Sequence, residues 1–108
     1  MHAEIQLGSS KVMLADEHPE MDARGPHTMG GTPVTMHMYV EDVDAVHKQA
    51  VLSGAKCVRP VENQFYGDRT GSVEDPFGHK WYLATHVEDV SSEEMKRRFA
   101  KMMQQAPA

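Results

Sequence analysis

Strict alternation opens the chain. Over His2–Leu7 the polar residues His2, Glu4 and Gln6 alternate with Ala3, Ile5 and Leu7, the period-2 pattern of a strand with one polar and one apolar face. Gly8-Ser9-Ser10 is a turn signal and residues 11–16 are again strand-like, so the two segments predict a hairpin. Over 17–33 three prolines and three glycines fall without period, which predicts a long surface connection. Alternation returns over 34–40, where Val34, Met36, Met38 and Val40 oppose Thr35, His37 and Tyr39. Parity then sends the apolar set toward a packed helix layer and His37 with its neighbours toward solvent or a cavity.

Asp42 is a good N-cap, Val43, Val46 and Ala50 recur at helical spacing, and Gly54 supplies a stop, predicting a helix over 43–53. Residues 55–61 and 69–74 read as strands, the second bracketed by Gly67-Asp68 and Asp75-Pro76-Phe77-Gly78. That last turn feeds a strand over 79–86, in which Trp81, Leu83 and Thr85 alternate with Tyr82, Ala84 and His86. From residue 34 the order is therefore β-α-β-β-β, an α+β arrangement. Ser91-Ser92-Glu93-Glu94 is a capping box with Ser91 as N-cap and Glu94 at N3. It opens a helix over 91–105 with Met95, Phe99, Met102 and Met103 on one side, which must dock or dimerise to be stable.

Composition fits one globular domain over 1–108, with 40% hydrophobic and 25% charged residues. A net charge of −5, with basic residues scattered apart from Lys96-Arg97-Arg98, argues against nucleic acid as a partner. Apolar runs are only a few residues long, and the start Met1-His2-Ala3-Glu4 has neither a basic nor an apolar leader region. A soluble cytoplasmic protein without membrane contact is the expectation. The lone Cys57 rules out an intramolecular disulfide and a Cys-rich zinc site, and is expected to be a small buried strand residue. No Gly-x-Ser-x-Gly elbow is present, and neither Gly30-Gly31-Thr32 nor Gly67-Asp68-Arg69-Thr70-Gly71 has the spacing of a phosphate loop.

The stretches Gly30-Gly31-Thr32-Pro33-Val34, His37-Met38-Tyr39-Val40-Glu41-Asp42-Val43-Asp44, Gln64-Phe65-Tyr66-Gly67-Asp68-Arg69, Asp75-Pro76-Phe77-Gly78-His79-Lys80-Trp81 and Ala84-Thr85-His86-Val87-Glu88-Asp89-Val90 carry a resemblance in their order and spacing. Together they resemble the PhnB-like branch of the vicinal oxygen chelate superfamily, the glyoxalase/bleomycin resistance protein/dioxygenase group. The resemblance implies βαβββ modules that pair into a cupped sheet around a ligand cavity. It identifies 34–90 as one complete module and 1–16 as a hairpin left from the first module, the N-terminal part of which is missing, with 17–33 connecting them. A homodimer that rebuilds the cup, with or without exchanged elements, is the expected assembly.

Members of that superfamily that are metalloenzymes carry His or Gln and Glu ligands on the first and last strands of each module. His37 occupies the usual histidine position, but Tyr82 stands where a Glu is expected, and the last strand of the first module offers only Asp16. At most two of four ligand positions survive, so no metal or other cofactor is expected in one chain. The resemblance then implies a small-molecule-binding protein similar to the drug-sequestering members, with His37, Tyr39, Thr35, Tyr82, Glu4 and Tyr66 as its ligand-binding residues. One alternative is a metal-dependent lyase, isomerase or dioxygenase completed at a dimer interface, with His37 and Glu4 among its ligands. The other is a non-catalytic assembly module. No catalytic residue is assigned.

The remaining histidines have plainer expectations. His2, His18 and His27 are read as solvated, His47 as part of an amphipathic helix, and His79 as capping a turn or supporting packing. His86 shares parity with Tyr82 but lies roughly 13 Å further along the strand, out of reach of His37 unless register intervenes. Trp81, of opposite parity, is expected to pack with Met36 and Met38. Asp68 and Arg69 either line the cavity mouth or fix a turn.

Overall fold

The structure, a computed structural model, describes residues 2–105, and the side chain of His2 is not among those described. Its elements are β1 (His2–Leu7), β2 (Ser10–Ala15), a 3-10 turn at Pro19–Met21, α1 (Pro26–Met29), β3 (Thr35–Tyr39), α2 (Val43–Leu52), β4 (Lys56–Asn63), β5 (Asp68–Glu74), β6 (Lys80–His86) and α3 (Ser92–Gln105). The fold is α+β: a hairpin, a βαβββ module and a C-terminal helix. β3, β6, β5 and β4 form one sheet in that order, β3 parallel to β6 and the other pairs antiparallel. The connection expected over 17–33 holds the two short helical turns.

α2 covers one face of the sheet, and the reasons are local. Asp42 caps it by accepting from the Ala45 N–H at 3.1 Å. Val43 is fully buried, His47 nearly so, and Val73 and Leu83 complete a small core beneath them, while Ala84 is buried on the sheet's other face. His47 packs over Gly71, where a Cβ would lie 2.8 Å from Val61 Cγ2 and 2.9 Å from His47 Cδ2. From there the His47 Nε2 atom reaches the carbonyls of Arg59 and Ser72 at 3.2 and 3.3 Å, so this histidine belongs to the helix's inward side. Trp81 is half-buried beside Met36, its register partner, and donates Nε1–H to Asp75 at 3.0 Å.

β4 is an edge strand with irregular pairing around Arg59 and with Pro60 in its middle, where a missing N–H costs no internal ladder bond. Cys57 sits near its start and is exposed, contrary to the buried position expected, on an edge strand of which all but Val61 is exposed. Asp75 builds the following turn, its Oδ1 accepting from the Phe77 and His79 backbones. His27 is exposed but bonds the Pro76 carbonyl through Nε2 at 2.8 Å, which ties the long connection to that turn rather than leaving the ring to solvent.

α3 starts on half of its capping box. Ser91 Oγ accepts from the Glu94 N–H at 3.1 Å, but the Glu94 carboxylate is taken by Arg97 and Arg98, which pull its pKa down to about 2. The helix docks through Arg98, which reaches Glu88 and the Phe65 carbonyl, and through Phe99 against Phe65. Gly67 makes the docking strand-end close: φ is +101°, its carbonyl accepts from Val87 and Glu88, and a Cβ would lie 2.3 Å from the Glu88 oxygen. Gly67→Ala is therefore expected to cost about 1–2 kcal/mol, read as a lowered melting temperature. A melting curve unchanged from the parent would contradict this placement of the 87–91 segment.

The β1–β2 hairpin pairs fully from His2–Ala15 to Leu7–Ser10 but has no substantial packing against any other element. Ile5, Met13 and Leu14 are exposed on it. Among the described residues no helix is long and apolar enough to cross a membrane.

Candidate functional site

The face of the sheet away from α2 carries the polar and aromatic parity set. Cross-strand register puts His37 beside Tyr82 and Ser72, and Tyr39 beside Ala84 and Thr70. The next row toward the end of β6 pairs His86 with Asp68. The His37 ring stacks on Tyr39 at 5.1 Å between centroids and meets Tyr82 edge-on at 4.9 Å. No described residue hydrogen-bonds its ring nitrogens, and the side chain is exposed.

Both neighbouring hydroxyls are fixed. Tyr39 donates its O–H to Asp68 Oδ2 at 2.6 Å, and the hydroxyls of Tyr82 and Tyr66 share a hydrogen bond at 2.8 Å. The pKa of Tyr66 is pushed up by burial and by that bond, and the pKa of Tyr39 is raised by its bond to Asp68. Both therefore stay neutral phenols at physiological pH. Asp68, 5% exposed, also meets His86 Nδ1 at 3.0 Å, and His86 Nε2 meets Asp89 at 2.7 Å. Burial opposes ionisation of Asp68, but the bonds from Tyr39 and His86 outweigh it and hold the carboxyl below its ordinary range. His86 is raised, first by Asp89 and then by Asp68.

Four of the six residues singled out from the sequence thus meet around one point: His37, Tyr39, Tyr82 and Tyr66. Thr35 lies one row away and lines a groove with Tyr82. Glu4 is on the hairpin opposite Met13, away from them. Asp68 and His86 were missed as members of this network. Their strand parity is visible in the sequence, but the β5–β6 register that joins them is set by the Asp75 turn and by long-range pairing. Arg69 points the other way and forms a two-pronged bond with Asp44 of α2.

The donor set does not fit a catalytic divalent metal within one chain. Among the described residues no three His, Cys, Asp or Glu side chains converge as ligands. His86 has two carboxylates, but they approach its two nitrogens, which lie on opposite sides of the ring. His37 has only phenols as ring neighbours.

Comparison with known proteins gives a consistent picture. The model of the Glyoxalase/Bleomycin resistance protein/Dioxygenase superfamily matches residues 1–83. Uncharacterized proteins of Mycobacterium bovis and Mycobacterium tuberculosis are 42% identical over 99 residues, 89% of this chain. The chain spans 65% and 58% of the length of these curated relatives. Among solved structures, protein PA1353 from Pseudomonas aeruginosa is similar over 82% of this chain and 64% of its own, with TM-score 0.64 and 21% identity. TioX from Micromonospora sp. ML1 is similar over 80% of this chain and 68% of its own, with TM-score 0.60 and 28% identity. A glyoxalase/bleomycin resistance protein/dioxygenase from Nocardioides is similar over 84% of this chain and 65% of its own, with TM-score 0.60 and 15% identity.

Proposed function

Because the chain belongs to the glyoxalase/bleomycin resistance protein/dioxygenase superfamily, we propose that it is a small-molecule-binding protein whose ligand lies on the aromatic sheet face and whose second copy covers that face. Within the superfamily we read it as a PhnB-like member, on the motifs around His37, Tyr66 and the Asp75-Pro76-Phe77-Gly78 turn. The observation that carries the reading is His37: exposed, with neither ring nitrogen bonded by a described residue, and flanked by phenols whose own hydroxyls are already fixed. A preorganised aromatic wall with few convergent polar groups is the chemistry of a small-molecule pocket. On this reading Tyr39 and Tyr82 supply ring surface, His37 supplies the orienting hydrogen bond, and the Asp68–His86–Asp89 network keeps Tyr39 in place. No proton transfer or covalent step is assigned to these residues.

The test is thermal. In a broad metabolite and antibiotic screen at 100 times Kd, a true ligand raises stability by about 2.7 kcal/mol. Tyr82→Ala and His37→Ala are expected to remove most of that increment while the unliganded protein still melts cooperatively. A screen in which no compound shifts the parent protein would leave the assembly-module reading in its place. Near-stoichiometric divalent metal after chelator-free purification, lost in His37→Ala, would instead make the protein a metalloenzyme completed between two chains.

A further inference from the structure

The same sheet face has a basic end. The pairing of β4 with β5 is irregular on either side of Arg59, with Val58 left without a cross-strand partner, and both residues line one groove. Thr35, Ser72, Val73, Lys80 and Tyr82 line the rest of it. Its volume is about 210 Å³, smaller than the roughly 300–1,000 Å³ that encloses a whole drug-sized ligand. It suits one end of a molecule. The Arg59–Ser72–Tyr82–His37 row of the sheet leads from this groove to the aromatic centre.

What distinguishes the groove is its cations. Arg24, Arg69, Arg97 and Arg98 each pair with a carboxylate: Asp22, Asp44, Glu94 and Glu88 respectively. Arg59 is the one arginine whose guanidinium has no partner among the described residues, and the Lys80 ammonium, like those of the other lysines, has none either. Acidic residues outnumber basic ones sixteen to eleven, so the absence of a partner at this groove is not for want of carboxylates. Glu74 is the cross-strand neighbour of both Lys56 and Lys80, and Glu62 lies opposite Thr70, yet neither forms an ion pair with Arg59 or Lys80. A guanidinium offers a planar fork matched to two oxygens of one oxyanion, and an ammonium beside it adds a point charge.

On the reading of this face as a small-molecule site, we propose that Arg59 and Lys80 form its oxyanion subsite, holding a carboxylate or phosphate of a ligand whose apolar body lies over Tyr82 and His37. Both side chains are exposed and without a partner among the described residues, so replacing them leaves the fold's described hydrogen bonds intact; the Arg59 carbonyl that His47 uses is backbone. The probes are 2-naphthoate, 2-naphthyl phosphate and the neutral 2-naphthamide, titrated into the full chain while backbone amide shifts at His37, Ser72 and Tyr82 are followed. At least one anion is expected to bind about tenfold tighter than the amide, the factor that about 1.4 kcal/mol of charge-assisted bonding supplies. The tighter of the two anions identifies the source of the oxyanion. Arg59→Gln with Lys80→Gln should bring anion and amide to parity without changing amide affinity, while Lys48→Gln on α2 should change neither. Equal binding of anion and amide to the parent chain would overturn the subsite and leave the pocket standing. Absence of shifts at all three residues with every probe would overturn both.

Discussion

Sedimentation at micromolar concentration is expected to give a species of twice the 12.1 kDa chain mass, with a melting temperature that falls on dilution. The chain exposes 8,248 Å², where a compact monomer of its mass exposes roughly 6,000 Å². Its radius of gyration is 17.1 Å, against about 13 Å for a compact domain of this length. The excess of about 2,000 Å² per chain is what an obligate interface removes, since such interfaces bury roughly 2,000–5,000 Å² in all. The β1–β2 hairpin has no substantial packing against any other element, and its Ile5 and Leu14, which share one face with Val12, are exposed, as is Met13 on the other face. Ile5→Asp would place an unpaired charge in that surface and is expected to shift the population toward 12.1 kDa chains. A folded single-chain species, melting at one temperature over a hundredfold dilution, would remove the second copy from the proposed site.

The second large effect is expected at Asp68. Asp68→Ala removes the acceptor of Tyr39 and one of the two carboxylates of His86 from a buried position. Hydrogen bonds to a buried charged group are worth about 1.5–3 kcal/mol, so the loss should be about 2–3 kcal/mol. The melting temperature should fall on the order of 10 °C. A change no larger than that of an ordinary surface substitution, about 0.5 kcal/mol, would show the network to be incidental.

The pH dependence has two flanks of opposite sign. Asp68 is lowered in the folded chain, so its contribution is present above the unfolded value near pH ~4 and is lost as pH falls through the lowered folded pKa. His86 is raised, so its contribution is complete below about pH 6.5 and is lost as pH rises through the raised folded pKa. Melting temperature should therefore plateau between about pH 4 and 6.5. Asp68→Ala should remove its own share of the acid flank, leaving that of Glu94 and the other paired carboxylates, and weaken the alkaline one, leaving what Asp89 still contributes.

The order of strands and of the two longer helices was legible because each has a local cause, whereas the two short helical turns within 17–33 were not. β1 coincides with its alternation, α2 begins after Asp42 as its cap dictates, and the turn at Asp75 carries its own acceptors. The parity argument put His37, Tyr39 and Tyr82 on one face, which pleating alone enforces. Pairing partners were not legible. Asp68 adjoins a glycine turn and looks like loop punctuation until β6 is laid beside β5, and only that register brings His86 to it. Cys57 was misjudged for a related reason, because strand propensity does not say which strand lies at the edge. The place of Glu4 depends on what the hairpin packs against, and no local pattern encodes that.

The irregular, proline-bearing β4 has a consequence for how far association can go. Of the two open edges of the four-stranded sheet, the β4 edge lacks a donor at Pro60 and has its pairing pattern broken around Arg59, whereas β3 presents a regular run. A further strand can add to the β3 edge but not in register to β4. An object that can be extended on one side only ends its own growth once two such sides meet, so edge pairing of these sheets yields a closed pair and not a fibre.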